Sequence, residues 1–591
     1  MTANSNNSQT KPTIKWGVLR KLFPYLWSQK GLFIASMILV TISSGLSLAG
    51  PMLSGRAIKA IEGGRGKVDL DTVIFFCALM VIFYIVSSIL TYVNSIIMLR
   101  LSKRISFNMR KQVFSHLLTL PISYFDKNQT GDIVSRLSYD IDTINTSLST
   151  DLLHIITSAI TIIGSFTMML IISPPLILVF AVTLPISIWF IKYRSQKVRP
   201  LFRRRSAKLG ELNGYAEEML SGQKSIKAYN REEVIIGRFN DRNDEAVTTF
   251  YEAEYQGSVI GPGVNFISNL SMSLVSMFGT ILFISGGITL SGISEFIQYS
   301  RRFSGPVGEI ANIIADLQSA SSAAERIFRV LDEAPEKTDI ENAVTVTDVK
   351  GGVSFKDVNF GYEEDKTIIS DFSLDVKPGS TVAIVGPTGA GKTTIANLLM
   401  RFYDPQAGDI LLDGKSIYEI TRDSLRRSFT MVLQDTWLFE GTIRDNIAFG
   451  NESVTDEDII RAAKTAGIHD YVTSLKDGYD TVLSDDGVNI SKGQKQLLNI
   501  SRALLSDAPI LILDEATSNV DSRTEQMIQK AMLSLMVGRT SFVIAHRLST
   551  IKNADVILVI RNGQIAESGN HDELLAKNGV YASLYNSQFE C

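Results

Sequence analysis

Cysteine and histidine are both scarce in this chain of 591 residues. Its two cysteines are Cys77, inside an apolar run, and Cys591, the last residue, and it has five histidines. Cysteines placed in this way predict neither a disulfide framework nor a metal site. No cleavable signal pattern precedes the first apolar run, and the polar segment 1–14 is predicted to be disordered.

A large net charge is missing as well, since the formal charge is −3 at pH 7. The two parts of the chain differ in sign: residues 1–350 carry 35 Lys and Arg against 28 Asp and Glu, and residues 351–591 carry 23 against 33. The acidic second part argues against a nucleic acid as its partner. The basic first part is typical of a membrane domain with positively charged cytoplasmic loops.

Charged residues are absent from long stretches of the first part. Residues 31–55 and 72–99 are charge-free, and each stretch is long enough to cross a bilayer. Residues 152–191 carry no charge either, but the pair beginning at Pro174 predicts a break into two spans with a very short turn. These stretches predict the first four membrane-spanning helices.

A fifth span is predicted at residues 258–285, and a sixth begins just after it and continues towards Ala324. The first part of the sixth span contains three charges among apolar residues, and charges are expensive in a membrane unless they face a cavity or a partner. These charges are Glu295, Arg301 and Arg302. We expect at least two of them to face a water-accessible interior.

The long loops between the spans set the predicted orientation. Segment 100–151 carries 7 Lys and Arg, and segment 192–254 carries 13, whereas the turns at the other side carry few or none. The positive-inside rule therefore places both long loops and both termini in the cytoplasm. Each loop holds a distinctive patch, at 120–126 and 216–222, which is either a cross helix pressing on the soluble domain or ordinary solvated helix surface.

These patterns predict the fold class and the domain boundaries. An all-α transmembrane domain with six helices is predicted at 15–330, and a polar linker at 331–350. Residues 351–591 are predicted to form an α/β nucleotide-binding domain of the P-loop NTPase class.

The α/β prediction depends on a glycine-rich loop between the apolar run 381–385, a predicted parallel strand, and the predicted helix 395–401. This segment matches the pattern G-x-x-x-x-G-K-[ST]. Backbone N–H groups of such a loop point at phosphate oxygens, Lys392 is placed for the β- and γ-phosphates, and Thr393 for Mg²⁺. The predicted phosphate-binding residues are Gly386, Pro387, Thr388, Gly389, Ala390, Gly391, Lys392, Thr393 and Thr394.

Two carboxylates end the apolar run 510–513. Asp514 is predicted to bind Mg²⁺ through water, and Glu515 is placed beyond it to polarise an attacking water as a general base. They follow the phosphate loop by about 120 residues and precede Ala-Thr-Ser, which makes the assignment specific.

Three further polar or aromatic residues lie at strand ends. His546 ends the run 540–545, where its imidazole is placed for the γ-phosphate, although a structural role is the alternative. Gln434 follows the strand 429–433, where its side chain would reach Mg²⁺ and the attacking water. Tyr362 follows the strand 353–360, where it either stacks on adenine or packs against the strand end.

These residues, in this order, resemble the motifs of ATP-binding cassette (ABC) proteins. Tyr362 resembles the A-loop, segment 386–394 the Walker A motif, and Gln434 the Q-loop. Asp514 with Glu515 resembles the Walker B motif with its catalytic glutamate, and His546 the switch histidine. The remaining matches are the signature motif, with Ser491, Gly493 and Gln494, and the D-loop, with Asp521.

Six spans in front of one cassette resemble a half-transporter of the exporter type. This resemblance implies that two chains sandwich two ATP molecules head to tail, with Mg²⁺, and that the spans alternate between inward- and outward-facing states. Each ATP would lie between the Walker A motif of one chain and the signature motif of the other. The resemblance also implies a multi-pass location in a bacterial cell membrane.

The signature motif departs from the family pattern. The family sequence is Leu-Ser-Gly-Gly-Gln, whereas here Lys492 replaces the first glycine. A side chain would disturb the close approach of this helix N-terminus to the γ-phosphate. Because Glu515 and His546 are intact, the chain resembles the subunit of bacterial heterodimeric multidrug exporters that keeps the catalytic glutamate. A second, different half-transporter is therefore the expected partner.

Several activities are compatible with this sequence. ATP-driven export of amphipathic small molecules is the leading hypothesis, a lipid or peptide exporter is the second, and a non-transporting membrane ATPase that regulates another protein is the third. No protease domain precedes the spans, which argues against peptide processing. Phe266, Met272 and Met277 either line a substrate path or face lipid.

Overall fold

The computed structural model describes residues 16–62, 64, 68–363, 366–434, 436–451, 453–483, 490–514, 521–545 and 551–589. The chain divides into two compact units, one made of Met1–Leu118 and Thr130–Glu333, the other of Thr119–Gln129 and Ala334–Cys591. Segment 1–14, predicted to be disordered, lies outside the described residues.

The first unit is built from helices in the part of the chain that the structure describes. Five of them are long and apolar enough, by length and composition, to cross a membrane. They are Lys30–Lys59, Leu70–Leu117, Thr130–Ile172, Pro174–Ser221 and Glu232–Ile284. A helix of 48 residues is about 72 Å long, against about 30 Å for the hydrocarbon core of a bilayer. The helices are α1 Trp16–Trp27, α2 Lys30–Lys59, α3 Leu70–Leu117, α5 Thr130–Ile172, α6 Pro174–Ser221, α7 Gln223–Ala228, α8 Glu232–Ile284 and α9 Leu290–Leu331, and the short helix α4 Ile122–Lys127 belongs to the second unit.

The break predicted at the proline pair is confirmed. Helix α5 ends at Ile172 and α6 begins at Pro174, after Ser173 in an extended conformation. Proline suits the first position of a helix because its missing N–H would have no intrahelical partner there. Two predicted spans therefore meet at a one-residue turn.

The sixth predicted span corresponds to α9, which is 42 residues long. Glu295, Arg301 and Arg302 all lie within it, and α9 is not among the helices that are apolar enough to cross a membrane by composition. That α9 crosses the membrane therefore remains a prediction. It requires these three charged side chains to face a cavity or a partner and not lipid.

Aromatic packing holds the middle of α9 in the first unit. Phe296 and Tyr299 are fully buried, and the Tyr299 hydroxyl donates to the Leu48 carbonyl oxygen over 2.8 Å. The ring of Phe180 on α6 lies 6.1 Å from that of Phe296 and 5.9 Å from that of Phe303. Large buried rings contribute both apolar area and specific ring geometry, so α2, α6 and α9 are fixed to one another here.

A paired charge holds the other end of α9. Arg326 donates from Nε to Asp140 Oδ2 over 2.8 Å and from Nη2 to Oδ1 over 2.5 Å. Asp140 is only 3% exposed, and a buried carboxylate requires such a bidentate partner. The contact ties α9 to α5, in which Arg136–Asp140 and Ser147–Asp151 form π-helical turns.

The second unit contains two main sheets. The larger has the strand order β12-β11-β3-β10-β9-β6, in which only β12 is antiparallel to its neighbour, and the smaller is antiparallel with the order β2-β1-β4-β5. The strands are β1 Val353–Phe360, β2 Ile369–Val376, β3 Thr381–Val385, β4 Ala407–Leu412, β5 Lys415–Ser416, β6 Phe429–Val432, β7 Gly441–Thr442, β8 Val482–Leu483, β9 Ile510–Asp514, β10 Thr540–Ile544, β11 Val556–Arg561 and β12 Gln564–Gly569.

Helices cover this unit at several points along the chain. They are α10 Lys392–Leu399, α11 Arg422–Arg427, α12 Ile443–Ala448, α13 Asp456–Ala466, α14 His469–Ser474, α15 Lys492–Leu504, α16 Ser522–Met536, α17 His571–Ala576 and α18 Val580–Phe589. The alternation of strands and helices around a parallel sheet is the predicted α/β class.

The parallel strands are buried on both faces. Val382 and Ile384 of β3 belong to the core that lies against the antiparallel sheet, whereas Ala383 and Val385 belong to a second core on the opposite face. Successive side chains of a strand point to opposite faces, so a strand between two cores is apolar throughout. This is why the predicted strand at 381–385 is confirmed to the residue and the predicted strand beginning at Ile510 is confirmed as far as Asp514.

The segment predicted as a polar linker, 331–350, is bonded to the second unit along part of its length. Glu336 accepts from Arg426 Nη2 over 2.5 Å, Val344 N–H donates to the Glu419 carbonyl over 2.7 Å, and Thr421 N–H donates to the Val344 carbonyl over 3.1 Å. Its polar composition therefore reflects ion pairs and backbone pairing on that unit.

Two glycines with the same backbone conformation provide a test of packing in the second unit. Gly563 and Gly379 have φ of +77° and +76°. A Cβ at Gly563 would lie 2.0 Å from the Ile368 carbonyl oxygen, whereas nothing lies within 4 Å of one at Gly379. Alanine in left-handed backbone costs about 1–2 kcal/mol, and the clash adds to that cost at Gly563 alone.

We therefore expect Gly563→Ala to lower the thermal unfolding temperature of the full-length protein by several degrees more than the matched Gly379→Ala. Thermal unfolding in detergent measures both variants against the parent chain. Equal shifts for the two variants would contradict the packing described for Gly563.

Candidate functional site

The predicted phosphate loop lies at the carboxyl end of β3, immediately before α10. Gly389 and Gly391 have φ of +81° and +103°, which glycine adopts readily and other residues do not. A Cβ on Gly386 would lie 2.3 Å from the Ile560 carbonyl oxygen, and one on Gly391 would lie 2.8 Å from Ile369 Cδ1. The loop therefore has no room for side chains at these positions, and its backbone can surround an anion closely.

The other residues of the loop differ in exposure. Ala390 and Thr394 are buried in the unit, and Pro387, Thr388, Gly389 and Thr393 are exposed. A cavity of about 140 Å³ opens beside the loop, and it is lined by Gly386, Pro387, Thr388 and Lys392 together with side chains of α18. The exposed side of the loop is thus the side available to phosphate groups.

The Lys392 ammonium group folds back over this loop. Its Nζ donates to the Gly386 carbonyl over 2.8 Å and to the Pro387 carbonyl over 3.0 Å. Burial lowers the pKa of Lys392, while the charge of Asp514 acts in the opposite direction. A cation is therefore held at the centre of the loop by two neutral oxygens, which phosphate oxygens can replace with a stronger, charge-assisted bond.

Residues predicted to bind Mg²⁺ occur at the same edge of the parallel sheet. Asp514, 9% exposed, ends β9, which lies two strands from β3, and Gln434 follows the neighbouring strand β6. Thr393 is exposed in the first turn of α10. A carboxylate, an amide oxygen and a hydroxyl are the hard oxygen donors that Mg²⁺ prefers, so this set fits the ion.

Tyr362 follows β1 and lies close to the start of α10. Its hydroxyl donates to Thr394 Oγ1 over 3.3 Å and accepts from Asn397 Nδ2 over 3.0 Å. Its ring meets the edges of Phe360 and Tyr403 at 5.0 and 4.9 Å, with interplanar angles of 84° and 86°. These contacts fix the ring next to the phosphate-loop helix while 37% of the residue stays exposed, which suits a surface for adenine.

Sequence reasoning missed the residue that supports Tyr362. Tyr403 packs against its ring, and the Tyr403 hydroxyl donates to the carboxylate of Asp126 in α4. Burial and this bond raise the pKa of Tyr403 well above its usual range. The pair joins segments 277 residues apart. The patch 120–126 was a candidate for such a contact, but no local pattern identifies Tyr403 as its partner.

The predicted signature residues head a different helix, α15. Ser491 is its N-cap: the Ser491 Oγ accepts from Gln494 N–H over 3.3 Å, and Ser491 N–H donates to Gln494 Oε1 over 2.9 Å. Lys492 is the exposed first residue of the helix and Gly493 is buried. Lysine at this position therefore leaves the helix start intact and places an ammonium group at its tip.

Three further predicted residues complete the set. Asp521 caps α16 by accepting from Thr524 N–H over 3.0 Å, a bond that lowers the pKa of Asp521. Glu515 and His546 lie outside the described residues. The described part of the site therefore contains the glycine-rich loop, the residues predicted to bind Mg²⁺ and the aromatic residue predicted to stack on adenine, but not the predicted general base.

Comparison with known families assigns both parts of the chain. Residues 33–307 match the model of the ABC transporter transmembrane region, and residues 369–518 match the model of the ABC transporter domain. The second match covers the phosphate loop, the signature motif and Glu515.

Similar proteins extend over nearly the whole chain. The ABC transporter ATP-binding protein YfiC of Bacillus subtilis is 42% identical over 97% of this chain and 94% of its own length. The fatty acid ABC transporter ATP-binding/permease protein of Mycobacterium tuberculosis is 44% identical over 80% of this chain and 75% of its own length. A solved bacterial Atm1-family ABC exporter with ATP bound superposes with a TM-score of 0.79, at 28% identity, over 95% of this chain and 98% of that one.

Two substitutions of Tyr362 separate ring stacking from hydrogen bonding. Tyr362→Ala removes the surface for adenine, whereas Tyr362→Phe keeps the ring and removes the bonds to Thr394 and Asn397. Stacking of a base on an aromatic side chain contributes about 1–3 kcal/mol, so we expect the alanine variant to bind ATP about 5- to 150-fold more weakly.

Calorimetric titration of the full-length protein with ATP measures this difference. The phenylalanine variant should stay within about threefold of the parent, because it keeps the ring and because a neutral hydrogen bond contributes a modest net free energy. Parental affinity in the alanine variant would remove Tyr362 from the adenine site.

Proposed function

Because this chain belongs to the ABC transporter family and has an exporter-type membrane region in front of a single ABC domain, we propose that it exports amphipathic small molecules as one half of a heterodimer. The observation that carries the proposal is the presence, in one chain, of membrane-length helices and a glycine loop shaped to hold phosphate. An ATPase coupled to transport needs both.

In this proposal the ATP triphosphate lies in the loop 386–394. Lys392 exchanges its two carbonyl contacts for the β- and γ-phosphates, and Tyr362 stacks on the adenine. Thr393, Gln434 and Asp514 would hold Mg²⁺, which neutralises charge on the phosphates when bound. Glu515 accepts a proton from the attacking water, and His546 orients the γ-phosphate.

The second ATP contact is supplied by a partner chain. Ser491, Gly493 and Gln494 at the start of α15 are proposed to face the ATP held by the partner, and Asp521 lies at the same interface. The N-terminus of a helix favours anions, but the Lys492 side chain keeps its backbone from approaching as closely as glycine does. The ammonium group attracts phosphate, so this site is proposed to hold ATP and to hydrolyse it slowly.

The proposed location is the cell membrane, with both termini in the cytoplasm. The support is the distribution of Lys and Arg between the long and short loops. The nucleotide-binding unit then lies where ATP is available, and transport runs from the cytoplasmic side outward.

A lipid exporter is the second candidate. The support for it is the 44% identical relative from Mycobacterium tuberculosis that is named a fatty acid transporter. A fatty acid is itself amphipathic, so the two candidates differ in breadth of substrate more than in mechanism.

The proposal predicts ATP-driven uptake of an amphipathic fluorescent dye into inside-out vesicles that contain this chain and its partner. Glu515→Gln should bind ATP as the parent does but lose hydrolysis about 10²- to 10⁴-fold, since general-base and electrostatic contributions have this size. Dye uptake should fall with hydrolysis.

Retained ATP binding in Glu515→Gln, measured by nucleotide trapping, is the control for correct folding. Hydrolysis within twofold of the parent would remove Glu515 from the proposed role. Full ATPase activity without dye or lipid uptake would instead favour a regulatory membrane ATPase.

A further inference from the structure

The first unit contains two cavities beside α9, each with one arginine and each of about 400 Å³. Arg301 lines the cavity between α6, α8 and α9, here called the α6–α8–α9 cavity. Arg302 lines the cavity between α2, α3 and α5, here called the α2–α3–α5 cavity. Neighbouring residues of one helix thus place the same charge at the same depth in two different surroundings.

The described residues give Arg302 hydrogen-bond partners but no charged partner. Its Nη1 donates to Ser47 Oγ over 2.6 Å and its Nη2 to the Tyr84 hydroxyl over 3.3 Å, and both partners are uncharged. Among the described residues, no carboxylate lies within ion-pair distance of its guanidinium. Glu295 is on the same helix, but its carboxyl group packs against Gly55 instead.

Arg302 also lies deep in the predicted span. It is roughly 18 Å along α9 from Leu290, which corresponds to about the middle of a 30 Å hydrocarbon core. An ionisable residue at such depth is expensive unless a partner compensates it, and its usual role is to bind an ion or a substrate. The described residues supply no counter-charge, so the guanidinium is available to an anion that enters the cavity.

The wall of the α2–α3–α5 cavity is polar and lacks acids. It holds many hydroxyl groups from Ser and Thr, together with His154 and Asn94, and no Asp or Glu. Asn94 is only 4% exposed, and its Oδ1 has no hydrogen-bond partner in the described part of the protein. A buried polar group without a partner is costly. The Asn94 amide can turn either its NH₂ or its carbonyl towards the cavity, so it is available to hydrogen-bond a ligand there.

The two cavities differ in these features. The α6–α8–α9 cavity holds no buried, unpartnered side chain in the described residues, and the Arg301 Nε there lies 3.4 Å from the sulfur of Met272. Among the described residues, only the α2–α3–α5 cavity combines an arginine that has no carboxylate partner with a buried side-chain oxygen that has no hydrogen-bond partner. Arg301 is therefore the matched control for Arg302.

We propose that the α2–α3–α5 cavity binds the anionic headgroup of the transported amphiphile, a carboxylate or a phosphate, with Arg302 as its counter-ion. The Ser47 hydroxyl accepts from Arg302 and so keeps its own proton for the headgroup. His154, and the Asn94 amide with its NH₂ turned into the cavity, donate to further oxygens of the headgroup. The inference rests on the proposed export function and narrows its substrates to anionic amphiphiles, so cationic amphiphiles of the same chain length are poor ligands.

The test is equilibrium binding of radiolabelled probes to the full-length chain, assembled with its partner in phosphatidylcholine nanodiscs without ATP. The probes are dodecanoate, dodecyl phosphate and dodecyltrimethylammonium. The parent protein should bind both anions at least about tenfold more tightly than the cation, since charge-assisted bonds form only with the anions. Equal binding of all three probes would overturn the proposal.

Variants locate the site. Arg302→Gln should lose about tenfold or more in affinity for both anions and none for the cation, Arg302→Lys should keep part of the anion preference, and Arg301→Gln should stay within about twofold. Unchanged binding of the cation shows that each variant is folded. An equal loss in Arg301→Gln and Arg302→Gln would assign the effect to general charge and contradict the proposed cavity.

Two further measurements are needed. One distinguishes a site for amphiphiles from a site for free anions, and the other distinguishes failure of this inference from failure of the proposed export function. Acetate and inorganic phosphate that compete as strongly as the dodecyl anions would show a site for free anions and overturn the amphiphile assignment. Anion binding without ATP-driven uptake into vesicles would contradict the export function alone. ATP-driven uptake of the cation without anion binding would contradict this inference alone.

Discussion

The close approach of backbone to phosphate is the constraint on which the nucleotide-binding unit depends. At Gly386 and Gly391 a single added carbon would collide with the Ile560 carbonyl or the Ile369 side chain. The strands that carry these neighbours, β11 and β2, are fixed by the two cores on either face of the parallel sheet. The sheet therefore holds the loop in the conformation that turns its N–H groups towards phosphate, with Lys392 already at the centre.

The same close approach of backbone to phosphate explains why the two ATP sites of the proposed heterodimer are expected to differ. The phosphate loop of this chain keeps every glycine that its geometry requires, whereas the signature helix has Lys492 where the family has glycine. The helix itself is well formed, because Ser491 and Gln494 cap each other. The proposed defect is thus confined to the distance between backbone and phosphate in the partner's site, while the helix stays folded and gains a positive charge at its tip.

The local parts of the structure were predictable from the sequence. Strands β3 and β9 are buried along almost their whole length, so their apolar runs indicate where they lie, and Pro174 indicates the turn between two spans. The cross-helix interpretation of patch 120–126 agrees with the contact of Asp126 with the second unit, but its partner Tyr403 was not predictable, nor were the cavities that separate Arg301 from Arg302. Such contacts depend on helix rotation and packing, which hydrophobic runs do not encode.

The most direct test of the account is the ATPase rate of this chain expressed alone, compared with the chain expressed together with its candidate partner and with Lys492→Gly expressed alone. The heterodimer proposal predicts slow ATP hydrolysis by the chain alone and a large gain in the rate with the partner. It also predicts a gain for Lys492→Gly expressed alone, because both signature motifs of that homodimer then carry the glycine of the family pattern. Lys495→Ala, one turn further along the same helix, is the control and should gain nothing. A stable homodimer of the unaltered chain that hydrolyses ATP and transports at the full rate, with no change in Lys492→Gly, would contradict it.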